Sequence, residues 1–179
     1  MLKGKGVMLR PVQEDDIPAL YEHIINLENR GEFWPLQIQS LTQLKKDFAE
    51  HGFWRDDFGS LVIVDNESGK VAGQVFWFKT VQYMTELEIG YIMYETALRS
   101  RGGTTEALKL LTRYLFDSKP VNRIRLCIAT GNGPSRRVAE KAGYIHEGTQ
   151  RGAQWNRGRL YDMELYALTR ADAERQAEA

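Results

Sequence analysis

The sequence predicts one α/β (α+β) domain built on a mixed, mostly antiparallel sheet of six to seven strands with helices on both faces. Three observations carry that expectation. Two stretches with apolar residues at helical spacing come before the main run of strands, the period then drops to two in segments joined by tight turns, and strands alternate with helices between residues 85 and 144. The 179 residues suffice for one ordinary core without metals or disulfides. Residues 1–170 are expected to form that domain, and the polar, alanine-rich stretch 171–179 either a surface helix or a frayed tail.

In chain order, Val7 to Pro11 alternates like a short strand, closed by a proline that suits an edge. A helix follows, with Asp15 or Asp16 as its cap, Pro18 in its first turn, a stripe of Leu20, Ile24 and Leu27, and Gly31 as its end. Ser40 and Gln43 make a capping box for a second helix that carries Leu41, Leu44 and Phe48 and stops at Gly52. Ser60 to Asp65 and Lys70 to Lys79 form a hairpin across Asn66-Glu67-Ser68-Gly69. Thr85 to Tyr94 is the next strand, and Thr104 to Asp117 a helix with Ala107, Leu108, Leu111, Tyr114 and Leu115 on its apolar face. Arg123 to Ala129 is a strand and Ser135 to Ala142 a helix stopped by Gly143. Two last strands, near Tyr144 to Arg151 and Arg159 to Leu168, turn at Asn156-Arg157-Gly158.

Composition narrows the function. Twenty-four Lys plus Arg balance twenty-four Asp plus Glu, so no net field holds the protein on nucleic acid or an anionic membrane, and any anion site is local. Cys127, the single cysteine, excludes an internal disulfide framework and points to a reducing, cytoplasmic setting. The longest apolar runs, such as Leu61 to Val64, fall far below the ~18 residues of a membrane span, and Lys3 and Lys5 are not followed by the apolar stretch of a secretory signal. His23, His51 and His146 lack metal-ligand spacing, so no metal is expected.

Three segments concentrate chemistry. Arg99-Ser100-Arg101-Gly102-Gly103-Thr104-Thr105 joins a strand to a helix start, where glycines admit a ligand to the backbone and free amides favour a phosphate or diphosphate. No Gly-Lys-Ser/Thr follows, so this is not a nucleoside-triphosphate loop; a glycine-softened turn with solvated arginines is the plainer reading. Asn132-Gly133-Pro134-Ser135 leads into the next helix, with Ser135 a cap, a catalyst or both, and the missing third glycine at Arg136 argues against a nicotinamide site. Glu86 and Glu88 share one strand face, either as a solvated pair or as a candidate base whose neighbour raises its proton affinity.

Together these segments resemble the GCN5-related N-acetyltransferase (GNAT) superfamily, and within it the RimJ/RimL-like branch that acetylates the N-termini of ribosomal proteins. The resemblance spans nearly the whole chain. The family's Gln/Arg-x-x-Gly-x-Gly/Ala motif matches Arg99, Gly102 and Thr104, with Thr104 departing from the usual glycine or alanine. The branch's Asn-x-x-Ser followed by Glu-Lys-x-Gly-aromatic matches Asn132, Ser135, Glu140, Lys141, Gly143 and Tyr144. The resemblance implies a sheet splayed between its central strands to receive acetyl-coenzyme A, the cosubstrate. It also implies coenzyme binding by Tyr91, Ile92 and Met93, by Arg99, Arg101, Gly102, Gly103, Thr104 and Thr105, and by Asn132, Ser135 and Arg136.

It further implies Glu88 as a base acting through water, Ser135 as proton donor to the leaving thiolate and Asn132 as a positioning group. The branch's final hairpin often carries a carboxylate where this chain has Gln154, before Trp155; an amide takes no proton, so Glu88, another carboxylate or bulk solvent must serve. Phe33, Trp34, Phe53, Trp54 and Phe58 with Asp56 and Asp57 are either an acceptor mouth or a cover for the core. Trp34, Trp54, Glu86 and Gln154 are the expected acceptor contacts, and the acceptor a protein or peptide α-amine. A small amine such as an aminoglycoside or polyamine, a non-catalytic coenzyme-binding module, and pairing with a second copy stay open.

Overall fold

The computed structural model describes residues 1–28, 31–94 and 101–178. Eight strands form one sheet: β1 Leu2–Lys3, β2 Val7–Pro11, β3 Phe58–Asp65, β4 Val71–Phe78, β5 Glu86–Met93, β6 Arg123–Ala129, β7 Ile145–Asn156 and β8 Arg159–Thr169. They lie in the order β1-β2-β3-β4-β5-β6-β8-β7, antiparallel throughout except for the parallel pair β5 and β6. The helices are α1 Ile17–Ile25, α2 Leu41–His51, α3 Gly103–Ser118, α4 Gly133–Lys141 and α5 Arg170–Glu178.

Alternation along the strands sorts the core onto two faces. Leu61 and Ile63 of β3, Val75 and Trp77 of β4 and Ile124 and Leu126 of β6 pack with Leu108, Leu111 and Leu115 of α3 and Ala139 of α4. Val62 and Val64 turn the other way, onto Ile17 and Leu20 of α1 and Leu44 of α2. Helices therefore cover both faces, as expected.

Several boundaries differ from the sequence reading. The helix expected to run to Gly31 ends at Ile25 with Asn26 as its cap, and Asp16 does not cap it by its side chain. That carboxylate instead takes both Arg10 guanidinium nitrogens, at 2.6 and 2.8 Å, and the Gln13 amide at 2.8 Å. Ser40 Oγ caps α2 by accepting from the Gln43 amide at 3.1 Å, but the Gln43 side chain bonds Asp47, leaving the box half made. Stretch 171–179 holds a helix through residue 178, whose Ala173 rests on the core and whose Gln176 donates to the Gly143 carbonyl at 3.0 Å.

Candidate active site

The ladder between β5 and β6 is three rungs long: Glu86 opposite Arg123, Leu87 opposite Ile124 and Glu88 opposite Arg125. Past that point β5 stays paired with β4 as far as Met93, and β6 with β8 as far as Ala129. The two strands have parted, and from Ile89 to Ile92 strand β5 has a ladder neighbour on one side only. Main-chain groups along such a fork are obligatory hydrogen-bonding groups, and an amide-bearing arm satisfies them as a further strand would. This is the splay that the family resemblance implies for acetyl-coenzyme A.

Two helix starts lie beside the fork. Gly102 adopts the left-handed conformation, φ 87°, immediately before α3, and no side chain caps that helix among the described residues. Its first-turn amides and positive dipole end suit a phosphate. Thr104 and Thr105 sit half-buried in that turn. Arg101 points to Glu67, 2.7 Å away in an exposed pair. Arg99 lies outside the described residues. Glu106, the acid of the same turn, accepts from the amides of Gly6 at 2.9 Å and Val7 at 3.2 Å and from Lys5, so it is tied to the turn between β1 and β2. A cavity of about 430 Å³ opens on that side, lined by Lys5 and Arg101 as well as by Asp65, Glu67 and Glu106.

At α4, Asn132 is the cap that the sequence reading weighed for Ser135: its Oδ1 accepts from the Ser135 amide at 3.2 Å. Freed from capping, the Ser135 hydroxyl lies 2.7 Å from the Tyr91 hydroxyl, which also reaches the Ser135 carbonyl at 3.2 Å. Tyr91 of β5 thus spans the fork to the start of α4. Burial pushes its phenol up to about 12, with the Ser135 hydrogen bond opposing, so it keeps its proton at every ordinary pH. Arg136 is exposed one residue on, 3.9 Å from Glu140.

The opposite face of the fork is the candidate acceptor side. Arg125 donates to Glu88 Oε2 from Nε at 2.9 Å and lies 3.2 Å from Glu86 Oε1 through Nη1. Glu86 is the more buried of the two acids, 7% exposed, and Arg123 holds it as well at 3.1 Å. Glu88 remains 15% exposed. Burial raises its proton affinity, Arg125 opposes, and Glu86 adds to the rise; the net direction is upward. Glu86 is therefore occupied by arginines, while Glu88 keeps one oxygen for a proton.

Other side chains on this face escaped the sequence reading, namely Arg125, Gln150, Phe76 and Tyr161, and Cys127, expected to be buried in its strand, is only partly buried here. Cys127 Sγ lies 3.6 Å from Gln150 Oε1, and Gln154 stands opposite Tyr161 in the β7–β8 register. Trp34 meets Phe76 edge-on at 5.9 Å, and Phe33 meets Tyr161 edge-on at 6.1 Å. Phe76 lies over Gly90, where a Cβ would come within 2.5 Å of the ring. Trp54 does not join them: it packs on the α3 face against Trp77 at 6.0 Å and Tyr114 at 6.2 Å, where it covers the core. The signal for Arg125 and Cys127 was present, since they alternate with the buried Ile124, Leu126 and Ile128. Among the described residues no group of His, Cys, Asp and Glu could hold a metal, and no helix is long and apolar enough to cross a membrane.

Known proteins share this architecture. The chain is similar to the putative ribosomal N-acetyltransferase YdaF of Bacillus subtilis, 28% identical over 124 residues that cover 68% of this chain and 67% of that one. Its fold superposes on spermidine N-acetyltransferase from Vibrio cholerae, solved with coenzyme A and spermine, with a TM-score of 0.81 at 17% identity over 93% of this chain and 97% of that one. It also superposes on RimL, a ribosomal L7/L12 α-N-protein acetyltransferase solved with coenzyme A, with a TM-score of 0.78 at 19% identity over 93% of this chain and 95% of that one. Since residues 7–145 match the acetyltransferase (GNAT) domain family, across the forked strands and both helix starts, the chain belongs to the GNAT acetyltransferases, the enzymes that transfer an acyl group from acetyl-coenzyme A.

Proposed function

We propose that this enzyme acetylates the α-amine of a protein or peptide, with Glu88 as the base. The observation that carries the reading is the place of Glu88: a half-buried carboxylate of raised proton affinity on the last rung before the strands part. Acetyl-coenzyme A supplies the activated acyl group, whose carbonyl carbon gains the bond to nitrogen as its bond to sulfur breaks. Glu88 takes the amine proton through a water. The Tyr91–Ser135 hydroxyl pair, which crosses the fork, gives a proton to the departing sulfur. Main-chain amides of β5 past Glu88 orient the arm, and the starts of α3 and α4 hold the diphosphate, with Arg99, Arg101 and Arg136 as its cationic neighbours.

Two features favour an α-amine over a polyamine. An α-amine, with a pKa of about 7.7–8.0, needs far less help in losing its proton than an alkyl amine near 10.4, which suits a site with Gln154 in place of a second carboxylate. The acids of the cavity of about 560 Å³ beside Phe33 and Tyr161 are also occupied: Glu32 by Arg159 and Asp162 by the Gly152 amide. The sequence relative YdaF, a putative ribosomal N-acetyltransferase, points the same way. A lone cysteine and balanced charge are consistent with work in the cytoplasm on a soluble acceptor. Thiol release from acetyl-coenzyme A with N-terminal peptides, polyamines and aminoglycosides tests the reading; release with polyamines alone would overturn it.

A further inference from the structure

From Gly31 to Ser40 the connection between α1 and α2 forms no helix or strand, yet it carries Phe33 and Trp34 onto the acceptor face. The tip of the β7–β8 hairpin holds it there. Asn156, the last residue of β7, donates from Nδ2 to the Glu32 carbonyl at 3.1 Å and to the Trp34 carbonyl at 3.4 Å. Arg157 donates to the Gly31 carbonyl at 3.0 Å, and Arg159 pairs with the Glu32 carboxylate at 2.5 Å. Arg157 and Gly158 both have positive φ, 50° and 77°, the two-residue hairpin geometry that aims this tip at the segment.

These bonds differ in weight. The Arg159–Glu32 pair is open to solvent, with side chains 61% and 54% exposed, so it contributes little. Asn156 is 3% exposed, so its amide bonds have no competing water. The orientation of that amide is fixed, because a flip would set Oδ1 against two carbonyl oxygens. Oδ1 itself is buried with no partner, so the donor end is what this position serves.

We propose that Asn156 is a positioning residue for acceptor recognition. It clamps Gly31–Trp34 to the hairpin and so fixes the aromatic wall against which the residue bearing the acetylated amine is read. The coenzyme site, on the far side of the sheet, does not depend on it. This inference rests on the α-amine reading above.

The test is Asn156→Asp, which keeps the shape and removes the donor, assayed with acetyl-coenzyme A and a panel of N-terminal peptides. The expected result is an acceptor KM raised about ten-fold or more, a narrower spread of kcat/KM across the panel, and a KM for acetyl-coenzyme A within about two-fold of the parent. Hydrogen exchange at residues 31–36 should quicken while that of β5 and β6 stays unchanged. An unchanged acceptor KM, an equal rise in both KM values, or unchanged exchange at 31–36 overturns the proposal. Asn156→Ser, too short to reach the carbonyls, is read by the same criteria if the aspartate variant does not fold. If the parent enzyme acetylates no peptide, the α-amine reading fails and acceptor recognition by Asn156 with it. Unchanged exchange at 31–36 in the variant of an active enzyme sinks the clamp alone.

Discussion

Arg125 and Glu88 face each other on the last rung of the β5–β6 ladder and are joined there by a 2.9 Å ion pair, so the side chains that close the ladder also mark where the fork opens. The same arginine lies 3.2 Å from Glu86. One guanidinium therefore staples two strands and sets the charge balance of the candidate base.

Replacing Glu88 by Gln should lower kcat by about 10²–10⁴ with little change in coenzyme affinity, because an amide keeps the hydrogen-bonding shape and takes no proton. Steady-state kinetics beside a coenzyme titration checks this; an unchanged kcat removes Glu88 from the mechanism.

The pH profile follows from the direction of the Glu88 shift. Burial holds its proton affinity above the ordinary 4.5, so the deprotonated, active form is lost, and the rate falls, as pH drops through that raised value. The acid limb of kcat/KM should have its midpoint above 4.5 and vanish in Glu88→Gln, leaving the titration of the acceptor amine at about 7.7–8.0. Tyr91, pushed up to about 12, should add no alkaline limb in the assay range.

Tyr91→Phe and Ser135→Ala should each slow the reaction modestly, and the double variant should fall well short of the product of the two effects, since the hydroxyls are one bonded pair. A multiplicative double-mutant cycle would show that they act separately.

Arg125→Met should destabilise the fold by about 3 kcal/mol, because it leaves Glu88 without its ion-pair partner and Glu86 with Arg123 as its one remaining arginine. The acid limb should move further up, as the charge that opposes protonation of Glu88 is gone. Denaturant unfolding and a pH–rate profile of the same variant check both.

Asp16→Asn should lower the melting temperature by several degrees near neutral pH, through loss of the two-pronged contact with Arg10. The Arg10 hydrogen bond depresses the Asp16 pKa below the ordinary 3.8, so its stabilisation is present above that value and is lost as pH falls through the depressed one. The difference in melting temperature between parent and variant should therefore shrink in acid below pH 3.8.

Much of this was legible in the sequence. Val7–Pro11 and Arg123–Ala129 were read at their true bounds because alternation of buried and exposed residues was clean there. β1 was not, because two residues show no period and the turn that returns the chain to β2 is held from elsewhere, by Glu106 and by Asn66 bonds to the Gly4 and Lys5 carbonyls. β7 runs five residues past its expected end; as an exposed edge strand with a register shift between Gln150 and Gln154 it shows no period. The site divides the same way. The motif positions were readable, whereas Phe33-Trp34 and Phe53-Trp54 look alike in sequence and only the backbone separates them: Phe53 takes a left-handed φ of 56°, and Trp54 goes to the α3 face. Arg125 was overlooked because its importance lies in the partner strand.

Hydrogen exchange with and without coenzyme A tests the central claim most directly. Binding in the fork should protect residues 89–92 and the first turns of α3 and α4, while the β2–β3 ladder stays as it was. Coenzyme A that binds without slowing exchange at 89–92, or that does not bind at all, would contradict it.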